Sequence, residues 1–125
     1  MENKELTEKI IGCAYRVYNK MGFGFLESVH EKCLLMKLSK LGLKAEAQKS
    51  ITVTYEDEIV GEFAADIVVE NTIILELKSV RRIVRAHEVQ LVNYVVATGK
   101  PVGLILNFGE RKVGVKRKIK ELTND

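Results

Sequence analysis

The feature that most constrains this chain is a change of apolar period near Ala45. Before it, Leu6, Ile10, Ile11, Ala14, Val17 and Tyr18 recur at helical spacing and predict a first helix over about 4–20. Gly22 and Gly24 then interrupt the pattern, because two glycines so close together disfavour a continuous helix. A second helix is predicted over about 25–41. Gly42 is a candidate left-handed cap for it, and Lys37 and Lys40 sit near the negative end of its dipole.

Beyond Ala45 the period is 2, and Ser50-Ile-Thr-Val-Thr-Tyr55 alternates cleanly with many β-branched residues. Three strands are predicted as an antiparallel meander, the first ending at a polar turn over 56–58, the second over 59–69 and the third over 73–80. A third helix over about 86–98 stops at Gly99-Lys-Pro101. Val102-Gly-Leu-Ile-Leu-Asn107 is a nearly unbroken apolar run, as suits a strand covered on both faces, and a last strand follows around 112–116. The order is ααβββαββ. The crossover helix puts 73–80 and 102–107 into one mixed sheet with helices packed on it, an α/β (α+β) fold. A chain of 125 residues is most simply one domain, 1–125, able to bury roughly two-thirds of its unfolded surface.

The second hairpin carries unusual chemistry. Asp66-Ile-Val-Val-Glu-Asn-Thr-Ile-Ile-Leu-Glu76-Leu-Lys78 sets two carboxylates and a lysine on apolar strands. A three-residue loop, Glu70-Asn71-Thr72, makes Val69 and Ile73 the last pair; counting back sets Asp66 opposite Glu76, with Lys78 on the same face. Facing carboxylates repel unless a cation compensates them, and Mg2+ prefers such oxygen ligands, so the set suits metal-dependent phosphoryl transfer. The ordinary alternative is a half-exposed strand in which Asp66 caps or forms a salt bridge.

The formal charge is only +3, but the basic residues cluster. Lys78, Arg81, Arg82 and Arg85 form one run; Arg111, Lys112, Lys116, Arg117, Lys118 and Lys120 form another. Such distribution favours polyanionic partners, although the second run reads equally as a solvated strand and tail. Cys13 and Cys33 have no Cys-x-x-Cys or Cys-plus-His grouping and fall at helical spacing among apolar residues, so reduced core cysteines are expected rather than a zinc site. The N-terminus lacks a signal-peptide core and no apolar run approaches the ~20 residues of a membrane span, so a cytoplasmic, non-membrane protein is expected.

Two further stretches support the hairpin. Glu27 follows the glycine pair in the first turn of a helix, where the dipole favours an acid in any case. His87, Gln90 and Tyr94 form a polar stripe along a helix otherwise made of valine, leucine and alanine, although solvent exposure would produce the same stripe.

Taken in order, Gly24-x-x-Glu27, Asp66, Glu76-x-Lys78 and Gln90-x-x-x-Tyr94 resemble the PD-(D/E)XK nuclease superfamily. More closely, the chain resembles the small GxxExxY proteins of that superfamily. It carries Gly22-Phe-Gly-Phe-Leu-Glu-Ser28, Ala65-Asp-Ile-Val-Val69, Glu76-Leu-Lys78, His87-Glu-x-Gln-Leu-x-Asn-Tyr94 and Leu106-Asn-Phe-Gly109. The resemblance implies a restriction-endonuclease-like core and a Mg2+- or Mn2+-dependent nuclease, resolvase-like or exonuclease-like, acting on nucleic acid, DNA first. A catalytically idle nucleic-acid-binding or protein-interaction domain is the alternative, and a homodimer presenting two sites is compatible with either.

The roles it implies are specific. Asp66 and Glu76 would ligate the metal with the Leu77 carbonyl, and Glu27 would complete the acidic cluster or hold a metal-bound water. Lys78 would act as base or charge stabiliser, and Gln90 would orient the lysine or the nucleic-acid backbone. Tyr94, His87, Arg81, Arg82 and Arg85 would contact nucleic acid. The tyrosine that gives the GxxExxY proteins their name is replaced by His30, which would either share hydrogen bonding with Glu27 or titrate near neutral pH.

Overall fold

The helical spacing of the first forty residues becomes α1 (Lys4–Met21) and α2 (Glu27–Lys40). The chain then runs through β1 (Ala45–Tyr55), β2 (Glu58–Val69), β3 (Ile73–Lys78), α3 (Arg85–Thr98), β4 (Val102–Phe108) and β5 (Val113–Ile119). These elements come from a computed structural model that describes residues 3–120; the outermost ends of the expected 1–125 domain lie outside the described residues. The order matches the predicted ααβββαββ. The boundaries move by a few residues, most at β5, which reaches Ile119 rather than 116.

The five strands form one sheet in the order β1-β2-β3-β4-β5. All neighbours are antiparallel except β3 and β4, which α3 joins as a parallel crossover. The hairpin between β2 and β3 turns as the spacing predicts, with Val69 paired to Ile73. Both Glu70 (φ 51°) and Asn71 (φ 52°) take the left-handed conformation there. The Glu70 carboxylate accepts the Lys44 N–H at 2.6 Å, and the Glu70 N–H donates to the Lys44 carbonyl at 2.7 Å, which holds a glutamate in an otherwise unfavourable region.

Helices cover both faces of the sheet. On one face α1 and α2 pack Ile10, Ala14, Val17, Leu34 and Leu38 against Leu75, Leu77, Leu104, Leu106 and Phe108. On the other, α3 packs Leu91, Tyr94 and Val95 against Val68, Ile74 and Ile105. Burial on both sides explains the unbroken apolar run of β4, every residue of which is buried. Gly103 marks the closest approach of α3: a Cβ there would come within 2.7 Å of Leu91 Cδ1 and 2.8 Å of Val95 Cγ2. Cys13 is buried and Cys33 half-buried, both as free thiols.

Period-2 alternation along β3 then fixes the functional face. Ile73, Leu75 and Leu77 point to α1 and α2, so Glu76 and Lys78 follow Ile74 onto the α3 face.

Candidate active site

The site begins where β2 and β3 part. Their ladder holds only Val69 with Ile73, Val68 with Ile74 and Ile67 with Leu75. Beyond that point β2 continues beside β1, while β3 continues beside β4. The next pair across the fork would be Asp66 and Glu76, and there side chains replace main-chain acceptors. The Asp66 N–H donates to Glu76 Oε2 at 3.1 Å, and the Leu77 N–H donates to Asp66 Oδ2 at 2.7 Å. Each carboxylate is thus locked to the opposite strand by a backbone donor, which stops the fork from exposing unsatisfied amides.

Glu76 is almost wholly buried, at 6% exposure. Burial first, and the Asp66 charge second, push its carboxyl up to about 8; Lys78 pulls it down by a smaller amount. Such a carboxyl holds its proton at neutral pH until a cation replaces it. Lys78, half-buried at the end of β3, supplies the compensating charge on the same face. The donor set is therefore two fixed hard carboxylates, the buried one of which resists ionisation, and such a pair suits a divalent cation with oxygen preference.

Tyr94 and Gln90 close the α3 side. The Gln90 Nε2 donates to the Tyr94 hydroxyl at 3.2 Å. Burial raises the Tyr94 pKa, and the charges of Glu76 and Asp66 add to the rise, which places its ring beside the acidic pair. From Tyr94 a groove of about 1100 Å³ runs between α3 and the β1–β2 arm, bounded by Phe63, Arg85, Val89 and Asn93. Phe63 leans on Tyr94 with ring centroids 5.8 Å apart.

The structure divides the remaining candidates. Glu27 is exposed as the first residue of α2. Among the described residues no three His, Cys, Asp or Glu side chains are gathered closely enough to hold a metal, so Glu27 does not join Asp66 and Glu76 in one cluster. Its neighbour one turn on, Glu31, does feel the fork: burial raises its carboxyl and the Asp66 charge adds to the rise. Glu31 accepts a hydrogen bond from Gln48 Nε2 at 2.9 Å. Gln48 lies opposite Asp66 in the β1–β2 register, with left-handed backbone (φ 52°) inside a strand. A non-glycine residue held there stores strain beside the fork. Neither residue carries a sequence signal of its own, since Glu31 reads as an ordinary helix acid and Gln48 as an ordinary strand residue.

His30 turns inward to the core. It is fully buried, and its Nε2 donates to the Gly22 carbonyl at 2.9 Å. Its ring stacks on Phe108 at 4.2 Å and 6°. It latches the glycine turn to the sheet rather than extending the Glu27 side chain. The same turn is tied to the end of β3, where Ser79 Oγ donates to the Phe25 carbonyl at 3.3 Å.

The segment leaving β3 is anchored by Asn107, which is 4% exposed and pairs in register with Lys78. Its Oδ1 accepts the Val80 N–H at 2.9 Å and its Nδ2 donates to the Val80 carbonyl at 2.8 Å. Arg81 and Arg82 are exposed on this segment, and Arg81 Nε lies 3.3 Å from Glu110 Oε2. Arg85 opens α3. His87 Nδ1 accepts the Val84 N–H at 3.2 Å, leaving Nε2 as the ring nitrogen that can donate outward.

A mixed sheet with helices on both faces, forked at a paired Asp and Glu and followed by a lysine on the same face, defines a restriction-endonuclease-like domain. The chain belongs to the PD-(D/E)XK nuclease superfamily, whose family model matches residues 4–118. The crystal structure of SSO0001 shares the fold at a TM-score of 0.58 and 15% sequence identity, over 77% of this chain and 50% of that one. The present chain therefore spans about half the length of that protein. Among curated proteins, none matches.

Proposed function

We propose that this domain is a divalent-metal-dependent nuclease of the GxxExxY type, hydrolysing phosphodiester bonds at the β2–β3 fork. The observation that carries the reading is the reciprocal Asp66–Glu76 lock, which fixes two carboxylates, one of them buried, beside Lys78. When bound, Mg2+ or Mn2+ supplies a Lewis acid that neutralises phosphate charge and lowers the pKa of water. Asp66 and Glu76 would hold it, with the Leu77 carbonyl as a third oxygen and Glu27 as an outer acid. Lys78, carrying its positive charge, would steady the charge that develops on the phosphate. Gln90 orients Lys78 or the nucleic-acid backbone from α3. Tyr94, His87, Arg81, Arg82 and Arg85 contact the substrate, with DNA preferred over RNA.

The GxxExxY assignment rests on five ordered motif blocks and bears the His30 replacement at its last position. Among the described residues no helix is long and apolar enough to cross a membrane. A homodimer would present two such forks. The test is incubation with Mg2+ or Mn2+ and a panel of linear, single-stranded, flapped and four-way DNA and RNA substrates. Cleavage of at least one supports the reading; salt-dependent binding with no cleavage of any establishes an idle nucleic-acid-binding domain instead.

A further inference from the structure

The basic run near the C-terminus is not one feature. Lys118 is held by Glu88 at 2.9 Å, on the α3 side of the sheet. Arg111, Lys112 and Lys116 instead line a cleft of about 570 Å³ with Arg81 and Arg82, closed at its base by Asn107 and Gly114. Two separate segments build this cleft: the stretch after β3, fixed by the paired Asn107–Val80 hydrogen bonds, and the β4–β5 turn. Glu110 is the one acid lining it, and it engages Arg81. Among the described residues Arg82, Arg111 and Lys112 form no ion pair, while Lys116 feels the Glu88 charge that Lys118 engages.

The register fixes where this cleft lies relative to the fork. Glu76 pairs with Ile105, and Ile105 pairs with Lys116. Lys116 is therefore level with Glu76 on the same face of the sheet, two strands away, or roughly 10 Å at a strand spacing near 4.8 Å.

We infer that this cleft is a second phosphate site, which grips the sugar–phosphate backbone of the nucleic acid away from the bond at the fork. The inference rests on the proposed nuclease reading for its substrate, but not on catalysis. Its charges are long side chains suited to phosphate oxygens, and the one amide lining it, Asn107, is taken up by Val80.

The test is fluorescence-anisotropy binding of a short DNA duplex in EDTA across a salt series, which removes cleavage from the measurement. The double variant Arg111→Gln/Lys112→Gln should lower the slope of log K against log salt by about 1.8, at about 0.9 per phosphate contact. A charge-matched control, Lys32→Gln/Lys40→Gln on exposed α2 positions, should leave the slope unchanged. Both variants should melt as wild type does. An unchanged slope in the cleft variant, or equal losses in both variants, overturns the second site. Loss of slope in a protein that cuts nothing would leave the cleft standing and remove the nuclease reading.

Discussion

Glu76→Gln should make the protein more stable at alkaline pH while removing its proposed metal site. The Glu76 carboxyl rises from an ordinary 4.5 to about 8 in the folded chain, because burial and the Asp66 charge both oppose ionisation. Between those values the folded state holds a proton that the unfolded state has lost, so stability falls as pH rises. The stabilising protonated form is complete below pH 4.5 and gone above about 8. At 1.36 kcal/mol per pH unit, the loss is about 3 kcal/mol by pH 7 and about 5 kcal/mol beyond pH 8.

Glutamine cannot ionise, and its carbonyl oxygen can still accept the Asp66 N–H that Glu76 Oε2 accepts now. Urea denaturation in EDTA from pH 5 to 9 should therefore show wild-type stability falling by a few kcal/mol across that range and the variant nearly flat, crossing above wild type near neutrality. A wild-type profile as flat as the variant's would refute the desolvated carboxyl.

Mg2+ or Mn2+ should raise the melting temperature of wild type but not of Glu76→Gln, with a larger shift at pH 8 than at pH 6 as the competing proton leaves; equal shifts in both proteins would remove the metal from the fork. Asn107→Ala breaks two hydrogen bonds to Val80 and should destabilise the fold by about 2–3 kcal/mol in urea, with faster amide exchange at Val80; a change within 0.5 kcal/mol would show that the segment is held otherwise. Glu31→Gln should weaken the metal-linked melting shift more than Glu27→Gln, because Glu31 is the α2 acid that feels Asp66; the opposite ranking would return that role to Glu27.

The elements themselves were legible because each rests on local pattern. Helical spacing marked α1 and α2, alternation marked β1, and Gly99-Lys-Pro101 marked the end of α3. The Asp66–Glu76 juxtaposition was legible too, since a three-residue loop and period 2 determine it by counting. The fork was not. It depends on β2 leaving β3 to follow β1, and the two strands read alike up to Lys78. The same limit hid Gln48, whose left-handed backbone falls where the β1–β2 pairing skips a residue, between Ala47 and Lys49. Asn107 read as the end of an apolar strand, and only the crossover brings Val80 to its side chain. At His30 the family expectation pointed toward Glu27, whereas a ring turned inward could find Phe108 and the Gly22 carbonyl only through the folded turn.

The central claim is that Asp66, Glu76 and Lys78 form a hydrolytic centre. The most direct test is single-turnover cleavage in Mn2+ by wild type, Asp66→Ala and Lys78→Ala, each shown by cooperative melting to be folded. Wild type should cut at least one nucleic-acid substrate while both variants fall to background. Cleavage that persists undiminished in both variants, or none by any of the three, would contradict the account.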